Sequence, residues 1–258
     1  MLVDELEDLL DYIYDYYSKT KRLKRPPNIA AFIGHSTGGI LGICASARWS
    51  TAAEINNQHP VRFIPRLILL SPAIWADKPL LAVLADQFPH SLTTLMKYVS
   101  GLKPLIVDAY FDVIKDSFAK DPQTNQYIHT HAEEELRLLT HRLFGAVPNV
   151  PEHPFIIGSI LGLNCFTLRD DLLPQYRKKL IQILNDSSEL STPHVLFIWG
   201  DLDLVVPYKK QIQKAKKWTE EYSSKFELQE MKSMGHELMS EDPQSIIQVI
   251  QDYFIKTK

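Results

Sequence analysis

The segment Gly34-His35-Ser36-Thr37-Gly38-Gly39 constrains this chain more than any other stretch. It follows the apolar run Ile29-Ala30-Ala31-Phe32-Ile33. That run reads as a buried strand, because strands covered on both faces lose the alternation of half-exposed ones. A helical pattern then runs from about residue 37 to about residue 53. A strand that becomes a helix over so few residues forces the corner residue, Ser36, into a strained backbone conformation. The residues two before and two after it come so close that a β-carbon would clash, which accounts for Gly34 and Gly38. Glycine is scarce here, ten in 258 residues, against a usual share of about 7 per cent. Six of the ten (Gly34, Gly38, Gly39, Gly42, Gly200 and Gly235) fall at or beside three short segments. Their positions are therefore informative.

Two further apolar runs read as buried strands, Arg66-Leu67-Ile68-Leu69-Leu70-Ser71 and His194-Val195-Leu196-Phe197-Ile198-Trp199-Gly200. Phe226-Glu227-Leu228-Gln229-Glu230-Met231 alternates and suits a strand nearer an edge. Helical patterns cover about 3–18, 207–223 and 243–256. In the first, Leu6, Leu9, Leu10, Ile13 and Tyr17 form one stripe; in the last, Ile246, Ile247, Val249, Ile250, Tyr253 and Phe254 do. Strands alternating with helices predict an α/β fold with a mostly parallel sheet. Between 73 and 192 only helices are predicted, at about 79–100, 103–119, 131–144 and 171–186. The domain reading is a core of residues 1–72 and 193–258, with 73–192 inserted as a helical cap or lid.

Several classes are excluded at once. With 28 Lys+Arg and 31 Asp+Glu the formal charge is −3, and nucleic-acid binding wants a basic face. Cys44 and Cys165 are the only cysteines, too few for a disulfide scaffold or a cysteine zinc cluster. No apolar run reaches about 18 residues, so no membrane-spanning helix is predicted. The acidic start, Met1-Leu2-Val3-Asp4-Glu5-Leu6-Glu7-Asp8, suits neither a signal nor a transit peptide, and a cytoplasmic location is expected.

A serine hydroxyl at such a corner is lifted off the sheet, with the N–H of Thr37 at a helix N-terminus placed to stabilise an oxyanion. Serine needs a base. Of nine histidines, His236 in Ser233-Met234-Gly235-His236-Glu237 lies just after the last strand. In a parallel sheet that loop opens at the carboxyl edge, the edge Ser36 occupies. The base needs an orienting carboxylate, and Trp199-Gly200-Asp201-Leu202-Asp203-Leu204-Val205-Val206-Pro207 offers two. Asp203 is preferred because it precedes the Val-Val-Pro run that begins the next element. Asp201 stays open as the alternative, or as a helper of the turn. The chain order is Ser, Asp, His.

With these motifs the chain resembles the α/β-hydrolase superfamily, of the serine lipase, esterase and monoacylglycerol-lipase kind. The resemblance covers about residues 3–72 and 193–256. It implies ester or related acyl hydrolysis without a cofactor or metal, with catalytic Ser36, Asp203 and His236. A serine at the elbow disfavours the epoxide-hydrolase and dehalogenase branches, which use aspartate there. Members usually carry several strands ahead of the elbow strand, including the loop that supplies the second oxyanion donor. Here 35 residues precede Ser36, enough for one helix and one strand. The sheet is expected to be N-terminally incomplete, with an exposed apolar edge. The alternative function is a catalytically impaired or truncated hydrolase-fold protein that binds a ligand or partner.

The segment around 80–99, with Leu80, Leu81, Val83, Leu84, Phe88, Leu92, Leu95 and Met96, is strongly apolar. It favours a lipid-like or bulky hydrophobic ester and allows peripheral membrane contact through the cap. His129-Thr130-His131-Ala132-Glu133-Glu134-Glu135 has metal-ligand residue types but reads as an acidic first helical turn. Lys209, Lys210, Lys214, Lys216 and Lys217 read as a solvated helix face. Cys44 reads as core packing.

Overall fold

The computed structural model describes residues 2–21, 29–55, 64–75, 115–132, 134, 172–185, 193–206, 208–222 and 225–257. The elements in chain order are α1 (Leu2–Lys21), β1 (Phe32–His35), α2 (Thr37–Ile55), β2 (Arg66–Leu70), α3 (Leu172–Asn185), β3 (His194–Gly200), α4 (Tyr208–Glu221), β4 (Phe226–Met231), α5 (Leu238–Glu241) and α6 (Pro243–Lys256). The chain divides into two compact units. One comprises Met1–Ile74, Arg169–Phe197 and Ala215–Leu228, and the other Trp75–Leu168, Ile198–Lys214 and Gln229–Lys258.

The four strands form one sheet in the order β1-β2-β3-β4, parallel as the alternating elements require. β1 pairs with β2 in the register Phe32↔Leu67, Ile33↔Ile68, Gly34↔Leu69 and His35↔Leu70. β2 and β3 are apolar runs because both their faces are covered: Leu67 to Leu70 and Val195 to Gly200 are all buried. β4 alternates in sequence and, among the described residues, ends the strand order. β1 departs from the reading as a buried strand. It begins at Phe32 rather than Ile29, and Ile33 is 51 % exposed. The cause is its position, since among the described residues β1 has a strand neighbour on one side only.

In the first unit α2 packs against β1, β2, α1 and α3. Ile43 to Ala47 are consecutively buried, as a helix covered all round must be. Burial pushes the Cys44 thiol up to about 12, which leaves it an inert core residue. α1 packs against α2, with Val3 buried and Glu7 accepting from Trp49 Nε1 at 2.7 Å. Leu9 and Tyr17, expected on this stripe, are exposed. Leu9 falls about 100° around the helix from Leu10, whereas Tyr17 lies on the stripe itself, about 20° from Leu10 and two turns nearer the helix end. α3 lay inside the predicted cap, yet it packs on α2, and Arg177 donates to the Ile74 carbonyl at 3.1 Å.

In the second unit residues 115–132 form a loop rather than a continuation of helix. Lys120 bridges Tyr127 in antiparallel fashion. Asp121 caps the turn by accepting the N–H groups of Gln123 and Thr124, both at 2.8 Å. The predicted helix 103–119 therefore ends by Lys115. α6 begins on Asp242, whose side chain accepts the Ser245 N–H at 3.1 Å, with Pro243 opening the first turn. It buries Ile246 and Tyr253, while Ile247 is 48 % exposed, one residue off the packed face. The predicted helix 79–100, most of 103–119 and 131–144, and the apolar 80–99 segment lie outside the described residues. No helix among the described residues is long and apolar enough to cross a membrane.

Candidate active site

Ser36 stands between β1 and α2 with φ 53°, the left-handed region that an L-residue enters only under constraint. Three backbone hydrogen bonds impose it. The Ser36 N–H donates to the Leu70 carbonyl at 2.9 Å, and its carbonyl accepts from Gly39 at 3.0 Å and Ala73 at 3.1 Å. Thr37 is the first residue of α2, so its N–H has no intrahelical acceptor and the helix dipole points at it.

The glycines do not share one reason. A β-carbon on Gly34 would lie 2.5 Å from the Gly38 carbonyl oxygen, so that position excludes every other residue. A β-carbon on Gly38 would meet nothing within 4 Å, which corrects the expected symmetry. The backbone of Gly38, not its missing side chain, is what crowds Gly34. The close approaches the pattern did not single out are at Gly39, against Pro72 at 2.6 Å, and at Gly42, against Leu67 and Phe32 at 2.8 Å. Gly34→Ala is expected to destabilise the fold by about 2 kcal/mol through overpacking, a fall in Tm of roughly 4–8 °C. Gly38→Ala is expected to melt like the parent. Thermal denaturation followed by circular dichroism separates the two.

Asp203 and His236 lie in the second unit. Asp203 is 3 % exposed and His236 4 %. His236 Nδ1 is 2.9 Å from Asp203 Oδ2, while Asp203 Oδ1 accepts the Val206 N–H at 2.8 Å. A carboxylate only accepts, so neutral His236 carries its proton on Nδ1 and Nε2 becomes the basic nitrogen. Asp201 is not the partner of His236. Its Oδ1 accepts the Ser233 N–H at 2.8 Å and its Oδ2 lies 3.4 Å from Lys232, so it ties the two loops at their rim. A β-carbon on Gly200 would fall on the carbonyl oxygens of Met234 and Gly235. Only glycine there lets the two loops touch.

The loop 115–132 closes on the same histidine loop. The Ser117 carbonyl accepts the N–H groups of His236 at 2.6 Å and Glu237 at 3.1 Å. Glu241, 2 % exposed, accepts the Gly235 N–H at 2.9 Å through Oε1 and the Ala119 N–H at 3.2 Å through Oε2. His129 Nε2 donates to the Ser233 carbonyl at 2.9 Å and lies 3.2 Å from Glu241 Oε2. Burial pushes the Glu241 carboxyl above the usual range, and the N–H groups of Gly235 and Ala119 and the charge of His129 oppose that rise. Neither Glu241 nor Ser117 stood out in the sequence. Glu241-Asp242-Pro243 reads as an ordinary acidic helix start, and Ser117 acts through its main chain. His129 and His131 each donate to a carbonyl, the latter to Ser240 at 2.7 Å. Among the described residues no group could hold a metal ion.

No family model and no curated protein matches the chain. Among solved structures it is similar to a bromoperoxidase from Bacillus anthracis, at 17 % identity and TM-score 0.54, covering 98 % of this chain and 72 % of that one. It is similar to a monoacylglycerol lipase from Paleococcus ferrophilus, at 17 % identity and TM-score 0.50, over 99 % and 76 % of the two chains. An α/β-hydrolase enzyme from a Medee basin deep-sea metagenome library matches at 16 % identity and TM-score 0.50, over 99 % and 71 %. The fold is that of the α/β hydrolases.

Proposed function

We propose that this α/β-hydrolase-fold chain is a serine hydrolase that cleaves carboxylic esters of a lipid-like or bulky hydrophobic kind. The observation that carries the reading is the buried 2.9 Å bond between His236 and Asp203. Ser36 on a strained strand-to-helix corner supports it. Each of the three residues follows a strand of the sheet, β1, β3 and β4, in the order Ser, Asp, His.

In this reading the Ser36 oxygen attacks the ester carbonyl carbon while its proton passes to His236 Nε2. The Thr37 N–H holds the oxyanion. The intermediate collapses, the C–O bond to the alcohol breaks, and His236 returns the proton to the departing oxygen. Water, deprotonated by His236, then attacks the acyl-enzyme; the acid leaves and Ser36 regains its proton. Asp203 stays ionised and holds the imidazolium that forms in each half. One ester and one water give one acid and one alcohol. The apolar 80–99 segment and the likeness in fold to a monoacylglycerol lipase support a greasy acyl chain.

Nitrophenyl esters from acetate to palmitate, together with a fluorophosphonate probe, test this. The expected result is labelling of one serine and a kcat/KM that rises with acyl length. Absence of both labelling and turnover in folded protein would favour a binding module instead.

A further inference from the structure

We infer that Glu241 is a positioning residue that fixes the His236 backbone so that the imidazole meets Asp203. The inference rests on the reading of His236 as the base. Gly235 immediately precedes His236, and its N–H is held by both Glu241 oxygens, at 2.9 and 3.1 Å. The same carboxylate takes the Ala119 N–H at 3.2 Å. Two residues back, the Ser117 carbonyl holds the N–H groups of His236 and Glu237. One buried carboxylate thus joins the histidine loop to residues 117–119, and the same short segment holds the His236 N–H through the Ser117 carbonyl. His129 closes the arrangement by bridging the Ser233 carbonyl and Glu241 Oε2.

The choice of a carboxylate has a chemical reason. Two donors, the N–H groups of Gly235 and Ala119, are spread over both oxygens, with His129 Nε2 3.2 Å from Oε2, and only a carboxylate offers acceptors alone. An amide in its place keeps one acceptor and turns an NH2 toward a remaining donor. A buried carboxylate is costly without such partners, so its presence in a turn just after the candidate base is best explained by what it holds. It touches neither substrate nor reacting atoms. Its effect reaches the chemistry only through the placement of His236.

The deciding variant is Glu241→Gln, which is isosteric. Steady-state ester kinetics, thermal melting and the low-field proton resonance of the His236 Nδ1–H···Asp203 bond are measured on it, on wild type and on Glu241→Ala. Misplacing a catalytic group by about an ångström can cost roughly 100-fold in rate. A fall in kcat of about tenfold is expected for Gln and about 100-fold for a folded Ala variant, with KM within about threefold in both. The low-field resonance is expected to shift in Gln and to broaden or vanish in Ala. A Glu241→Gln protein with wild-type kcat and an unshifted resonance overturns the inference. The resonance needs no turnover, so it reports on positioning even if Ser36 proves inert. Loss of the Ser36 reading alone would show instead as labelling or turnover that survives Ser36→Ala.

Discussion

Ser36→Ala is expected to abolish phosphonate labelling and to lower ester turnover by roughly 10⁶-fold, the scale seen when a triad nucleophile is removed. The substitution deletes one oxygen at a half-buried corner. The hydrogen bonds that shape that corner, to Leu70, Gly39 and Ala73, all use the Ser36 main chain, so they survive. Alanine tolerates the 53° φ about as poorly as serine, and the melting temperature is expected to stay within about 3 °C of the parent, the effect of 1 kcal/mol or less. The residual rate measures what the oxyanion donor and binding supply without a nucleophile. If turnover and labelling persist in Ser36→Ala, another group attacks the ester and the proposed chemistry is wrong.

What could be read from the sequence follows from the range of the interactions involved. β3, β4 and α6 have the predicted limits. In β3 burial on both faces writes itself into a continuous apolar run, and in α6 Asp242 and Pro243 mark the start. The elbow was legible for the same reason. Gly34 answers to the backbone four residues on, a contact within one turn. Gly38 was misread because the crowding is one-sided, and that depends on which way the turn leans. The stripes of α1 and α6 were drawn a residue too wide. Apolar side chains such as Leu9 and Ile247 remain on the surface of a folded protein without penalty enough to exclude them.

Long-range contacts left weaker marks. The Val-Val-Pro run is the one local mark that favours Asp203 over Asp201, since both follow Gly200 in the same turn. The distinction comes from a residue 33 positions on, where His236 meets one and the Ser233 main chain meets the other. Glu241 was hidden more deeply, because its partners are main-chain N–H groups, one of them 122 residues away. Main-chain donors have no sequence signature. Among the described residues β1 has a strand neighbour on one side only, which no local pattern marks, and the exposure of Ile33 is its consequence.

Asp203→Asn is expected to lower kcat by about 10⁴-fold with little change in KM, because an amide sets the wrong tautomer. Asparagine can still accept the Val206 N–H through its carbonyl oxygen, so the buried turn keeps its bond. The amide nitrogen then faces His236 Nδ1 and donates to it. Nδ1 becomes the acceptor, the ring proton moves to Nε2, and the nitrogen that should take the Ser36 proton already carries one. Asp201→Asn is the matched control. Its carbonyl oxygen can still take the Ser233 N–H, and the exposed contact with Lys232 that it loses is the kind worth about 0–1 kcal/mol. Its kcat is therefore expected within about threefold of the parent. Equal losses in the two variants would mean that the bond between Asp203 and His236 holds the loops together and does not orient a base.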